Sequence, residues 1–82
     1  MYELRLSDGF LNSVKKLDKQ NQIRIKEKLD LLHAGRVKIE YLHGILARQC
    51  KLRVGKYRII YKFLNEKEIF LLRVGLRDKV YK

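Results

Sequence analysis

The chain has 82 residues, 46% hydrophobic and 35% charged, with a formal net charge of +11 at pH 7. That length allows one domain, 1–82, with a thin core, and the hydrophobic content excludes an intrinsically disordered chain. A single cysteine, Cys50, excludes an internal disulfide and any Cys-based zinc site.

The charge is uneven. Residues 1–46 carry 9 Lys+Arg against 6 Asp+Glu, a net of +3; residues 47–82 carry 11 against 3, a net of +8. A basic excess gathered in one half is the footprint of a partner that is nucleic acid or an acidic protein, whereas a merely solubilising surface mixes signs more evenly. No apolar run approaches the roughly 18 residues of a membrane span, and no signal peptide is visible. The expectation is a cytoplasmic protein with no membrane association, no metal and no cofactor.

In chain order, residues 2–6 alternate apolar and polar and read as a short strand. Ser7 or Asp8 can cap the helix that follows, whose stripe is Phe10, Val14 and Leu17 and whose end is expected near Asp18–Lys19. A second helix, from about Gln20 to Ala34, has Ile25, Leu29 and Leu32 on one stripe with Leu31 beside it, and Gly35 as its C′ residue. Residues 36–44 form a connector anchored by Ile39 and Leu42. Ile45 to Val54 reads as a strand, with Cys50, Leu52 and Val54 on one face and Gln49, Lys51 and Arg53 on the other. Gly55-Lys56 is a two-residue hairpin turn. Tyr57 to Phe63 follows, with Tyr57, Ile59, Tyr61 and Phe63 on one face and Arg58, Ile60 and Lys62 on the other. After the turn Asn65-Glu66-Lys67 comes a last strand, Glu68 to Leu76, with Phe70, Leu72, Val74 and Leu76 expected on one side and Arg73 on the other. Arg77 to Lys82 reads as a short tail.

The order strand, helix, helix, then a three-strand antiparallel meander predicts a two-layer α+β domain. The helical hairpin covers one face of the sheet. The other face is expected to stay open and to gather the cations.

Three pieces of the chain carry a family resemblance: Leu42-His43-Gly44, then Lys-Leu-Arg-Val-Gly-Lys-Tyr-Arg-Ile-Ile-Tyr over 51–61, then Arg-Val-Gly-Leu-Arg-Asp-Lys-Val-Tyr over 73–81. In this order the chain resembles the RelE/ParE toxin superfamily, the toxins of bacterial and archaeal toxin–antitoxin pairs, and its Val-Gly-x-Arg run before a terminal Val-Tyr is nearer the RelE branch. The resemblance implies a RelE-like fold and a ribosome-dependent mRNA endoribonuclease that inhibits translation. It also implies a hetero-oligomer with an acidic RelB-like antitoxin, and the ribosome and mRNA as further partners. It places the working residues at Lys51, Arg58, Arg77 and Tyr81, with Arg53 nearby. Leu76 stands where several relatives have histidine, and Gln49 where the RelE strand has a second lysine. ParE-branch relatives share the fold and poison DNA gyrase, so a gyrase inhibitor or a decayed antitoxin-binding protein is the alternative.

RNA is cut without metal when its own 2′-OH attacks the adjacent phosphate. The enzyme must then stabilise phosphorane charge and move two protons. Arginine forks suit the first task, and Arg58 and Arg77 are assigned to it. Lys51, crowded by Arg53, Arg58 and Arg77, is the expected base. Tyr81 can stack on a base, donate a proton, or simply anchor the tail on the sheet. Arg53, Lys62, Arg73 and Lys79 are expected to position phosphate or antitoxin. His33 and His43 read as structural.

Overall fold

The computed structural model describes residues 1–44 and 48–80. Its elements are β1 (Glu3–Leu6), α1 (Asp8–Lys15), α2 (Lys19–His33), β2 (Glu40–Tyr41), β3 (Gln49–Val54), β4 (Tyr57–Phe63) and β5 (Glu68–Leu76). They form a two-layer α+β domain with one five-stranded sheet in the order β1-β5-β4-β3-β2. The β3–β4–β5 meander is antiparallel, and β1 pairs in parallel with β5. Helices on one side of the sheet allow that parallel return, because the chain between β1 and β5 can cross over the covered face.

Local chemistry sets the junctions. The Ser7 hydroxyl caps α1, accepting from the Phe10 amide at 3.0 Å, and donates to the Leu72 carbonyl at 3.0 Å. Asp18 caps α2 by accepting from the Asn21 amide at 3.3 Å. The first helix therefore ends at Lys15, earlier than Asp18–Lys19, because an extended Asp18 already belongs to the next helix. Gly35 follows α2 at φ 73, the left-handed conformation of a C′ glycine. His33 contacts the Tyr2 carbonyl and so ties the end of α2 to the start of β1, a structural role as expected.

The core lies between helices and sheet. Phe10, Ile25 and Leu32 meet Cys50, Leu52, Ile59, Tyr61, Ile69 and Leu71, with Val14, Leu17 and Leu29 packed at the margin. Each fully buried large aliphatic side chain contributes about 1.5–3 kcal/mol, which is how a short chain keeps a fold. The stripes expected on both helices are the ones that face the sheet, and Leu31 stays exposed beside them.

Three expectations are corrected. Ile39 is exposed; Leu42 anchors the connector together with Val37, which packs against the main core, and part of the connector forms the short edge strand β2 against Cys50 and Lys51. On β5, Ile69, Leu71 and Val74 face the helices, while Leu72 belongs to a cluster on the opposite side. The pairing Tyr61↔Leu71 followed by Ile60↔Arg73 marks a β-bulge that inserts Leu72 and resets the alternation. The Leu72 carbonyl takes the Ser7 hydroxyl. Finally, the second face is not open. Ile60, Leu42 and Val80 pack on it with Leu72, and the turn from Arg77 to Val80 folds back across it. The β3 strand is described from Gln49 onward; the expected start at Ile45 and Tyr81 of the tail lie outside the described residues.

Candidate nucleic-acid interface

The register of β3, β4 and β5 builds the site one row at a time. Arg53, Arg58 and Gly75 form one row on the face away from the helices; Lys51, Ile60 and Arg73 form the next; Gln49, Lys62 and Phe70 the third. Side chains directly opposite in such rows have Cβ atoms about 4.5–5.5 Å apart, so five expected site residues share one small surface. Like charges opposite one another destabilise a sheet, and Arg53 is directly opposite Arg58. A local rule broken in this way points to a use for the charges.

Arg58 is 7% exposed, the only charged residue buried among the described residues. Its first terminal nitrogen donates to the carbonyls of Gly55 at 3.1 Å and Tyr57 at 2.9 Å. The fork is thus braced on the β3–β4 turn, and among the described residues its other nitrogens make no hydrogen bond. A braced guanidinium with one edge unspent has the chemistry to donate to a phosphate.

Arg77 comes to the same turn from the other side. Its backbone amide donates to the Lys56 carbonyl at 3.2 Å, and its side chain is exposed. Acids do not answer these cations. Among the described residues the ion pairs are Arg5–Glu68 and Lys26–Asp30, and Glu68 is further held by Asn65. Those contacts, Asn65 first and then Arg5, pull the Glu68 carboxyl below its ordinary value.

The other expected residues divide. Lys62 reaches over the Phe70 ring at 5.8 Å from its centroid. Arg73 gives its Nε–H to the Val80 carbonyl at 2.6 Å, which ties the tail to the sheet. Val80 also closes on Gly75, where an added Cβ would meet its side chain at 3.4 Å. Lys79 is exposed on the turn that crosses the face. Tyr81 lies outside the described residues.

One residue was missed. Glu40 on β2 is in register with Lys51, so a carboxylate stands beside the expected base. Its position was invisible in sequence because two residues of strand inside a connector carry no periodic signal. Among the described residues no cluster of three or more His, Cys, Asp and Glu could hold a metal ion, and no helix is long and apolar enough to cross a membrane.

With this geometry in view, the chain can be set beside known proteins. The sequence model of the family described as the ParE toxin of type II toxin–antitoxin systems, parDE, matches residues 4–81. No curated protein matches. The toxin–antitoxin complex RelBE2 of Mycobacterium tuberculosis includes a chain 25% identical, with a TM-score of 0.80 over 93% of this chain and 98% of that one. The isolated RelE toxin of E. coli is 28% identical, with a TM-score of 0.73 over 99% and 92%. A chain of the intact E. coli RelBE toxin–antitoxin complex is 29% identical, with a TM-score of 0.71 over 93% and 96%.

Proposed function

This chain belongs to the ParE toxin family of type II toxin–antitoxin systems, and on that footing we propose that it is a RelE-like mRNA endoribonuclease that cuts translated message in the cytoplasm. The single observation that carries the proposal is the braced Arg58, in register with Arg53 and at the same turn as Arg77. A braced fork, with a second arginine whose backbone is held at the same turn, suits a phosphate whose charge grows during reaction.

The 2′-oxygen attacks the adjacent phosphorus, and the bond to the 5′-oxygen breaks, leaving a 2′,3′-cyclic phosphate and a free 5′-hydroxyl. Arg58 and Arg77 hold the non-bridging oxygens. Glu40 accepts the proton from the 2′-hydroxyl. Lys51, beside it in the next strand, donates to the departing 5′-oxygen in place of the basic role first expected of it. Arg53, Lys62, Arg73 and Lys79 line the approach, and Tyr81 is proposed to stack on a base. The ribosome presents the strand, and an acidic antitoxin neutralises the same basic half.

The test is induced expression with mapping of mRNA ends, comparing the wild type with Arg77→Ala and Glu40→Gln. Codon-phased cuts that vanish in both variants support the assignment. Undiminished cutting and growth arrest by Arg77→Ala would sink it.

A second reading, a non-enzymatic gyrase inhibitor, is favoured by the family's ParE description and by the deep seat of Arg58. It predicts inhibited DNA supercoiling in a purified gyrase assay, with intact mRNA in cells.

A further inference from the structure

β2 pairs only with Cys50 and Lys51, so Leu52 to Val54 of β3 form a bare sheet edge. Against that edge, α2 and the connector enclose a groove of about 270 Å³. Lys28, Arg36, Lys38 and Arg53 line it, with Glu40 the single carboxylate. Lys28 and Leu31 also line an adjoining hollow of about 290 Å³, which runs past Arg24 and the carboxylate Glu27 to Val54 and Gly55. The Arg24 guanidinium stands 3.7 Å from where a Cβ at Gly55 would be, at the turn that braces Arg58.

The groove and the sheet face therefore share residues. Arg53 belongs to both, and so does Glu40 through its register with Lys51. Among the described residues, none of Arg24, Lys28, Arg36, Lys38 or Arg53 is in an ion pair. Arg24 and Lys28 are one helical turn apart, about 6 Å along the axis, so the cations are strung out along a path. Such a series suits the repeating charge of a polynucleotide.

Resting on the RNA-cleaving reading above, we propose that this groove binds phosphates flanking the scissile step. A strand lying over Lys51 and Arg58 crosses the bare edge of β3 at Arg53 and continues between α2 and the connector. An amphipathic helix of a protein partner would seek a different surface. The apolar groove between the two helices, with Leu6, Leu11, Val14 and Leu29, has that character.

The test uses the full chain and a Lys28→Gln/Arg36→Gln/Lys38→Gln variant, none of whose positions is assigned to the reaction. The probes are fluorescein-labelled 2′-O-methyl oligouridines, a trinucleotide and a dodecanucleotide, which bind without being cut. For the wild type the longer probe binds more tightly, with a steeper salt dependence. The variant should lose that advantage, its slope of log K against log salt falling by about 0.7 per phosphate contact removed. It should keep wild-type affinity for the trinucleotide.

Equal loss on both probes would mean a diffuse field and overturn the proposal. So would unchanged binding of both probes, whether accompanied by weaker binding to ribosomes (a ribosomal RNA contact) or to the acidic antitoxin (a protein interface). Because these probes are never cleaved, failure of the groove is separate from failure of the nuclease reading, which the mapped mRNA ends decide.

Discussion

The two faces of one sheet are built to opposite rules. Toward the helices, β3, β4 and β5 present Cys50, Leu52, Ile59, Tyr61, Ile69 and Leu71, all buried in one continuous core. On the other side the same strands present Lys51, Arg53, Arg58, Lys62 and Arg73, with a small cluster of Leu42, Ile60 and Val80 among them. The first face spends its residues on stability. The second gives up stability where cations stand opposite one another and recovers a little through a tail folded over Ile60.

The sharpest way to break that comparison is to truncate one residue on each face. Leu71→Ala on the helix side should cost about 2–5 kcal/mol, since it removes buried methyls and leaves a cavity. With total stability for a small domain of about 5–15 kcal/mol, urea denaturation would show the midpoint fall sharply. Cleavage per folded molecule should not change. A cost below about 1 kcal/mol would mean that the core is not the continuous layer described here.

Arg77→Ala on the other side should do the reverse. Under the proposed nuclease reading, losing this donor should lower cleavage by about 10²–10³. Its side chain is exposed, so stability should move by no more than about 0.5 kcal/mol. Arg58 cannot give so clean a result. Its bonds to Gly55 and Tyr57 are charge-assisted, each worth about 1.5–3 kcal/mol, and Arg58→Ala should lower stability and cleavage together. If Arg77→Ala unfolds the protein instead, the division of labour between the faces is wrong.

Val80→Ala probes the cover on the cationic face. Val80 packs on Gly75, and its carbonyl takes Arg73 Nε–H. Its truncation should cost about 1–2 kcal/mol, less than a core leucine. The amides of Lys79 and Val80, both bonded to the Leu76 carbonyl, should lose hydrogen-exchange protection before the core amides do. Exchange that stays uniform would show that the tail and the core open together.

How legible these faces were in the sequence follows from the physics of each element. The β4 strand was readable because Tyr57, Ile59, Tyr61 and Phe63 alternate with Arg58 and Lys62, Ile60 alone being apolar on the second face. The helix stripes were readable for the same reason at their own period. β5 misled because its run of apolar residues has no polar partner phase, and the inserted Leu72 moves Leu71 and Val74 to the same side. At the bulge the Leu72 carbonyl accepts a hydrogen bond from Ser7, far away in sequence. Grouping Arg53, Arg58, Lys51 and Lys62 required only hairpin register, so that part of the site was visible. The seating of Arg58 depends on carbonyls of the β3–β4 turn, and the place of Glu40 depends on a two-residue pairing. Neither leaves a periodic trace.

The smallest effect, absent at neutral pH, belongs to the core again. Burial pushes the Cys50 thiol from 9.0 up to about 11, against a smaller opposing effect of its contact with Tyr61, and it pushes the Tyr61 phenol up as well. A thiol whose folded value lies above its unfolded value keeps its proton in the native state after the unfolded chain has lost it. Stability is therefore unaffected below pH 9 and falls as the pH rises from 9 toward 11. Denaturation series across that window should show the decline, and Cys50→Ala should make it shallower, leaving the part due to Tyr61. The same burial should keep Cys50 inert to thiol reagents in the native protein and open to them after Leu71→Ala. Rapid labelling of the wild type at neutral pH would place Cys50 at the surface and remove the contrast between the two faces.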